Sequence, residues 1–221
     1  MPPPLDIIPH LLNGLWLTLW IALGGCGLAL VCSLLAGLGR RSQDWVVRSL
    51  SAIYVEVFRG TSAIVQLFWF YYALPILLGI RLDAILVGIL VLGLNIGAYG
   101  AEVVRAAIEA VPVGQRQAAI ALNLSPWQTM RHVIFPQAIL MMLPPFGNLL
   151  IELLKSTSLV YFIGVTDLLM AGMFYRDDTH RNVETFGMLL LIYFGLSMLI
   201  TAGVRSLEQR LSHGRDYGGT R

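Results

Sequence analysis

Long uncharged apolar runs alternate with short charged segments along this chain. No Asp, Glu, Lys or Arg falls between Asp6 and Arg40. That stretch exceeds the ~20 residues a helix needs to cross a bilayer core, so a first span is predicted near residues 12–38. A second uncharged run covers 60–80, with helix expected upstream from about residue 51, where Glu56 and Arg59 lie. Further runs cover 84–101, 133–151 (with Pro136, Pro144 and Pro145 inside) and 185–204. Residues 157–175 are apolar but interrupted by Gly164, Asp167 and Gly172.

Arginine placement decides how many runs cross. With five spans and the N-terminus outside, the inner segments 39–50, 105–132 and 205–221 hold Arg40, Arg41, Arg48, Arg105, Arg116, Arg131, Arg205, Arg210, Arg215 and Arg221. The outer segments hold only Arg81, Arg176 and Arg181, beside Asp6, Asp83, Asp177, Asp178 and Glu184. This is a strong positive-inside bias. A sixth crossing at 157–175 would put the basic tail on the wrong side, so that segment reads as a broken or re-entrant piece packed against protein. The expected fold is an all-α membrane protein of about five transmembrane helices, with a cytoplasmic C-terminus and one domain over residues 1–221.

Composition agrees. Hydrophobic residues are 57% and charged residues 13% of the 221, with a mean hydropathy of +0.72. A soluble domain carries about 25% charged residues, so a soluble globule and a nucleic-acid binder are both excluded, and lipid is the expected surrounding. The opening MPPPLDIIPH has no positive n-region of a secretory signal, so the first apolar run is expected to remain. Cys26 and Cys32 are six residues apart on one helix, about 240° of turn, and read as small packing residues.

Polar residues inside the apolar runs recur at helical spacing. Glu56 and Arg59, then Glu102, Arg105 and Glu109, then Asn148, Glu152 and Lys155 each share a helix face and can pair along it. Gln66 and Asn95 add uncharged polar groups. Two readings stand side by side: interhelical glue with ends reaching the interface, or a substrate path. A cavity lined by both charge signs would suit a zwitterion. Catalysis has little support. His10, His132, His180 and His213 share no metal-ligand spacing, and neither a nucleophile elbow nor a P-loop is present. The chain therefore needs no cofactor of its own, and any ATP-driven work requires an engine in another subunit.

Residues 107–135, AIEAVPVGQRQAAIALNLSPWQTMRHVIF, form a long cytoplasmic loop with internal order. Good helix formers run from Gly114 to Leu122, and Asn123 suits a left-handed position after the helix. Ser125-Pro126-Trp127-Gln128 carries an N-cap Ser, Pro at the first helical position and Gln two residues on, a capping-box start. Ala118, Ala119 and Leu122 are expected to make a small exposed apolar knob. An amphipathic helix on the lipid interface is one reading. The short Ala-rich face favours insertion into a protein groove.

The stretch QAAIALNLSPWQTMRHVIFP (117–136) resembles the EAA loop of the membrane subunits of ABC importers, matching its spacing without a gap. Gln117 stands for the family Glu, Asn123 for Gly, Phe135 for Leu and Val133 for Ile. FRGTSAIVQLFWFYY (58–72), GAYGAEVVRAAIEAVPVGQ (97–115) and GNLLIELLKSTSLVYFIGVTDLL (147–169) resemble the polar amino acid permeases of that group, including histidine, glutamine, arginine, opine and ectoine-type importers. NGLWLTLWIAL (13–23) and LEQRL (207–211) fit the ends of such subunits.

The resemblance implies the type I importer permease fold in a bacterial cytoplasmic membrane, and alternating access. It also implies a second permease subunit, as homodimer or heterodimer, two copies of a cytosolic ATPase that use ATP and Mg, and an extracytoplasmic substrate-binding protein. It places ATPase coupling on Gln117, Ala118, Ala119, Leu122 and Asn123. Candidate path residues are Arg59, Thr61, Gln66, Tyr99, Glu102, Asn148, Glu152, Lys155 and Ser158. A stand-alone secondary transporter or channel is the competing function, and an intramembrane enzyme or a non-transporting scaffold are the others.

Overall fold

A computed structural model describes residues 7–212; Asp6, His213, Arg215 and Arg221 lie outside them. Among the described residues every regular element is helical. Helix α1 (Ile7–Gly39) is the first crossing. It is followed by α2 (Trp45–Gly60) and α3 (Ala63–Leu78), which meet at 104°. Then come α4 (Ala84–Ala110), α5 (Val113–Ala121), α6 (Phe135–Ser156), α7 (Leu168–Thr179) and α8 (Asn182–Ser212). Among the described residues four helical runs are long and apolar enough to cross a membrane, and the bent pair α2–α3 makes a fifth.

The second span is therefore an elbow rather than one rod. Gly60 ends α2, and Thr61 and Ser62 are extended. Asn95 and Gln66 each donate a side-chain N–H to the Phe58 carbonyl, at 2.8 and 3.0 Å, and Gln66 also donates to Thr61 Oγ1 at 2.7 Å. These bonds satisfy backbone and hydroxyl groups that the break would otherwise leave unpaired in an apolar setting.

Proline shapes two more sites. Wide π-helical turns at Trp69–Ala73 and Thr129–Ile134 each precede a proline by two residues, Pro75 and Pro136. Proline has no N–H, and its ring presses on the carbonyl four residues back. That carbonyl belongs to Tyr71 in one case and His132 in the other, both inside the widened turn. By contrast, α6 runs through Pro144 and Pro145 without interruption.

Helices α1 and α4 lie parallel and very close. A Cβ on Gly93 would meet Leu28 and the Gly25 carbonyl, and one on Gly100 would meet Ser33. Ser33 Oγ bonds the Ala29 carbonyl (2.6 Å) and reaches the Gly97 carbonyl across the interface (3.1 Å). Small residues that let backbones approach, with a hydroxyl bridging them, are how helices associate where lipid removes the hydrophobic drive.

Residues 157–175 do not form a separate crossing. A 3₁₀ turn (Thr157–Ile163) ends α6, and Gly164 takes φ +82°. Asp167 then caps α7 by accepting from the Met170 N–H at 2.9 Å. Helix α7 runs antiparallel along α1: the Leu168 N–H donates to Thr18 Oγ1 (3.0 Å), Ala171 lies at Gly14, and Tyr175 packs on His10. The segment thus climbs back toward the start of α1, packed against protein.

Gly14 is the tightest contact there. A Cβ would sit 2.5 Å from the Asp167 carbonyl oxygen and 2.8 Å from the Ala171 Cβ. Gly14→Val is expected to cost about 2–3 kcal/mol through overpacking and to lower Tm and folded yield in detergent. Gly27→Val, where nothing lies within 4 Å, serves as the control and should change neither.

Candidate functional site

The cytoplasmic loop is built as a stiff projection. Helix α5 ends with Asn123 at φ +59°, and the Asn123 and Leu124 N–H groups bond the Ile120 and Ala119 carbonyls. Both halves of the capping box form: the Gln128 N–H donates to Ser125 Oγ (3.3 Å) and the Ser125 N–H to Gln128 Oε1 (2.8 Å). Arg116 bonds the Ile108 carbonyl at 3.1 Å, tying α5 back to the end of α4.

Gln117, Ala118 and Asn123 are exposed, and Leu122 is 74% exposed. Ala119 is not: only 2% of it is accessible, which corrects the expected knob. One turn of α5 must face the chain to hold the loop, and Ala119 lies on that face. The free apolar surface instead adds Ile120 and Trp127, a face that the Ala-rich pattern alone did not single out.

A second cluster joins the ends of α1, α2 and α4. Glu102 is its hub. It pairs with Arg40, with Arg105 at 2.9 Å and with Arg59 at 3.9 Å. Glu109 takes Arg105 at 2.8 Å and Arg41 at 3.3 Å. Arg59 also lies over the Tyr99 ring, 5.2 Å from its centroid, a cation–π contact. The expected Glu56–Arg59 pair is absent, because Arg59 turns toward Glu102. Arg40 and Arg41 were legible only as inside-positive residues; 62 positions separate Arg40 from Glu102, and no local spacing encodes that partnership.

Gln66 and Thr61 were expected along the path. The structure places them in the elbow. Gln66 is buried; its amide N–H groups serve Phe58 and Thr61, and its carbonyl oxygen accepts from Asn95 at 3.2 Å. Thr61 Oγ1 donates to the Val57 carbonyl at 2.8 Å. Both also line a largely apolar groove of about 410 Å³ with Phe58, Trp69 and Phe70.

Asn148, Glu152 and Lys155 do form one stripe. All three are exposed on α6, while Met142, Leu153 and Leu154 on the same helix are buried. With Ser158 they line an open groove of about 380 Å³. A smaller groove of about 180 Å³ between α6 and α8 shares Asn148. Among the described residues no ion pair involves Glu152 or Lys155, so the expected pairing along this face does not form. No group of three or more metal-ligating side chains occurs among the described residues.

Residues 29–213 match the family model described as the binding-protein-dependent transport system inner membrane component. This chain belongs to that family. It is a transport subunit and not an enzyme; ATP hydrolysis belongs to a separate subunit. The permease is 42% identical over 217 residues to a probable amino-acid ABC transporter permease protein, y4tF, of Sinorhizobium fredii, covering 96% of this chain and 91% of that one. It is 37% identical over 205 residues to the glutamine transport system permease protein GlnP of Escherichia coli, covering 92% and 94%.

Among solved structures, a chain of an amino acid ABC transporter crystallised with histidines superposes with a TM-score of 0.87 at 32% identity, over 93% of this permease and 96% of that chain. A chain of the inward-facing MetNI methionine ABC transporter gives 0.77 at 20% identity, over 96% and 99%, a likeness of fold. The permease has the type I ABC importer architecture, with five crossings once the elbow is taken as one.

Proposed function

We propose that the permease is the membrane subunit of an ATP-driven importer for a polar amino acid or a related zwitterion, a compatible solute of the ectoine kind included. It works by alternating access in a bacterial cytoplasmic membrane. Its partners are a cytosolic ATPase dimer docked on the α5 knob, a second permease subunit and an extracytoplasmic binding protein. ATP and Mg are used by the ATPase.

The exposed stripe of Asn148, Glu152 and Lys155 carries this reading. A charge at the centre of a lipid-facing helix costs about 2.5–3.5 kcal/mol on insertion scales. A face with a carboxylate and an ammonium, neither neutralised by the other, therefore belongs against protein or water. One negative and one positive group on the same groove match the two ends of an amino acid. Glu102 and Arg59, by contrast, already neutralise one another, with Tyr99 beside them.

Uptake by proteoliposomes holding the permease, the ATPase and the binding protein tests this. Glu152→Gln and Lys155→Met are each expected to cut ATP-dependent uptake at least about tenfold, the effect of one lost charge-assisted contact of ~1.4 kcal/mol or more. ATPase capture by the same variants should stay at the wild-type level. Uptake by the permease alone, driven by an ion gradient and indifferent to ATP, would replace this reading with a secondary transporter.

A further inference from the structure

The groove between α6 and α8 carries the charged stripe on toward the cytosol. Asn148 and Ile151 line both this groove and the wider one that holds Glu152, Lys155 and Ser158. Its far wall is α8, which supplies Thr201, Arg205 and Glu208. The two helices touch at Gly147, where a Cβ would lie 2.9 Å from Val204 Cγ1. Helix α8 runs on to the cytosolic tail, so Arg205 and Glu208 sit on the cytosolic side of that contact. From Gly147 to Lys155 the α6 helix rises about 12 Å the other way, at 1.5 Å per residue. The grooves are therefore stacked in depth and joined at Asn148.

Arg205 is exposed and Glu208 half-buried. At i, i+3 on one helix, opposite charges ordinarily pair. No ion pair involves either among the described residues. An arginine at a span end ordinarily reaches for the interface, but the interface gives Glu208 no cation, and a carboxylate half-buried beside α6 needs one. The order of charge along the grooves supplies a role. From outside to inside they present Lys155, Glu152, Arg205 and Glu208, which is positive, negative, positive, negative. A zwitterion seated with its carboxylate on Lys155 and its ammonium on Glu152 meets the same polarity again at Arg205 and Glu208. It can step inward without turning end for end.

We propose that Arg205, Glu208 and Asn148 form a second, inner binding station for the zwitterion, where the solute rests before release to the cytosol. The station rests on the polar amino acid reading above. Arg205 takes the carboxylate, its planar fork matched to two oxygens. Glu208 takes the ammonium. The Asn148 amide, shared by both grooves, offers a donor and an acceptor at the crossing. Two weak stations in series suit passage better than one tight one, because each must release what it binds.

Uptake kinetics in proteoliposomes holding the permease, the ATPase and the binding protein test the station. The probe is a radiolabelled mixture of the common L-amino acids and ectoine, with rates then taken for whichever solute accumulates. Arg205→Met and Glu208→Gln are each expected to lower kcat about tenfold, the effect of one lost charge-assisted contact. Their kcat/KM should stay near wild type, because loading from outside precedes the inner station. Tm in nanodiscs and ATPase capture should also match wild type, since neither side chain is ion-paired within the chain. A loss of kcat/KM as large as that of kcat overturns the station, and so does a parallel loss of ATPase capture. Arg205→Glu combined with Glu208→Arg keeps both charges but reverses their order. It should stay as slow as the single variants; recovery of the wild-type rate marks a structural ion pair and overturns the station. Unchanged rates in Arg205→Met and Glu208→Gln, with uptake lost in Lys155→Met, remove the inner station and keep the amino acid reading. No ATP-dependent uptake by the unaltered complex removes both.

Discussion

Ala118→Glu is expected to abolish capture of the ATPase by the permease, and with it all ATP-dependent uptake. Ala118 sits on the exposed side of α5, beside Leu122. A short apolar face of this kind gains affinity by filling a groove, and a carboxylate carried into that groove loses its water without gaining a partner. The penalty is several kcal/mol, so binding falls at least about thirtyfold for each ~2 kcal/mol. Leu122→Ala should weaken capture more mildly, by removing packing alone. Pull-down of the ATPase by detergent-purified variants measures both. Capture of Ala118→Glu at the wild-type level would remove the docking assignment, while leaving the groove on α6 untouched.

Glu102→Gln should have the other large effect, on stability. Its carboxylate holds Arg40, Arg59 and Arg105 together, and without it three like charges from the turn after α1, from α2 and from α4 face one another. Breaking a fully buried pair costs about 3–5 kcal/mol. The Glu102 side chain is 20% exposed, so screening reduces that to about 2 kcal/mol, or a fall in Tm of about 4–8 °C. Raising ionic strength should recover part of the loss, because salt screens the exposed arginines. Uptake and ATPase capture should decline together, in contrast to Glu152→Gln and Lys155→Met. A Glu102→Gln permease that unfolds like wild type yet fails in transport would return Glu102 to the solute path.

The crossings and the loop were legible in the sequence because their causes are local. An uncharged run of bilayer length, a Ser-Pro-x-Gln start and an Asn after a helix each act within a few residues. The capping box at Ser125 and the left-handed Asn123 therefore appear where the pattern places them. The likeness of residues 117–136 to a known loop pointed to the family for the same reason.

What the sequence left open depends on partners far along the chain. Spacing alone leaves Glu102 free to pair with Arg105 or to line a path, and the choice is made by Arg40 in the turn after α1. Gln66 reads as a lone amide in an apolar run until Phe58 and Asn95 are brought beside it across the bend. Ala118 and Ala119 are chemically identical in the sequence, and only the packing of α5 turns one outward and the other in.

The knob and the charged groove also share one mechanical member. Helical backbone runs from Pro126 to Ile163 over 38 residues; the 22 residues of α6 within it span about 33 Å at 1.5 Å per residue, and neither Pro144 nor Pro145 interrupts them. Trp127 stands near one end of this rod and Lys155 near the other. A push of a few ångströms at the cytosolic tip would reach the charged stripe through continuous helix, with the widened turn at Thr129–Ile134 as the joint nearest the knob.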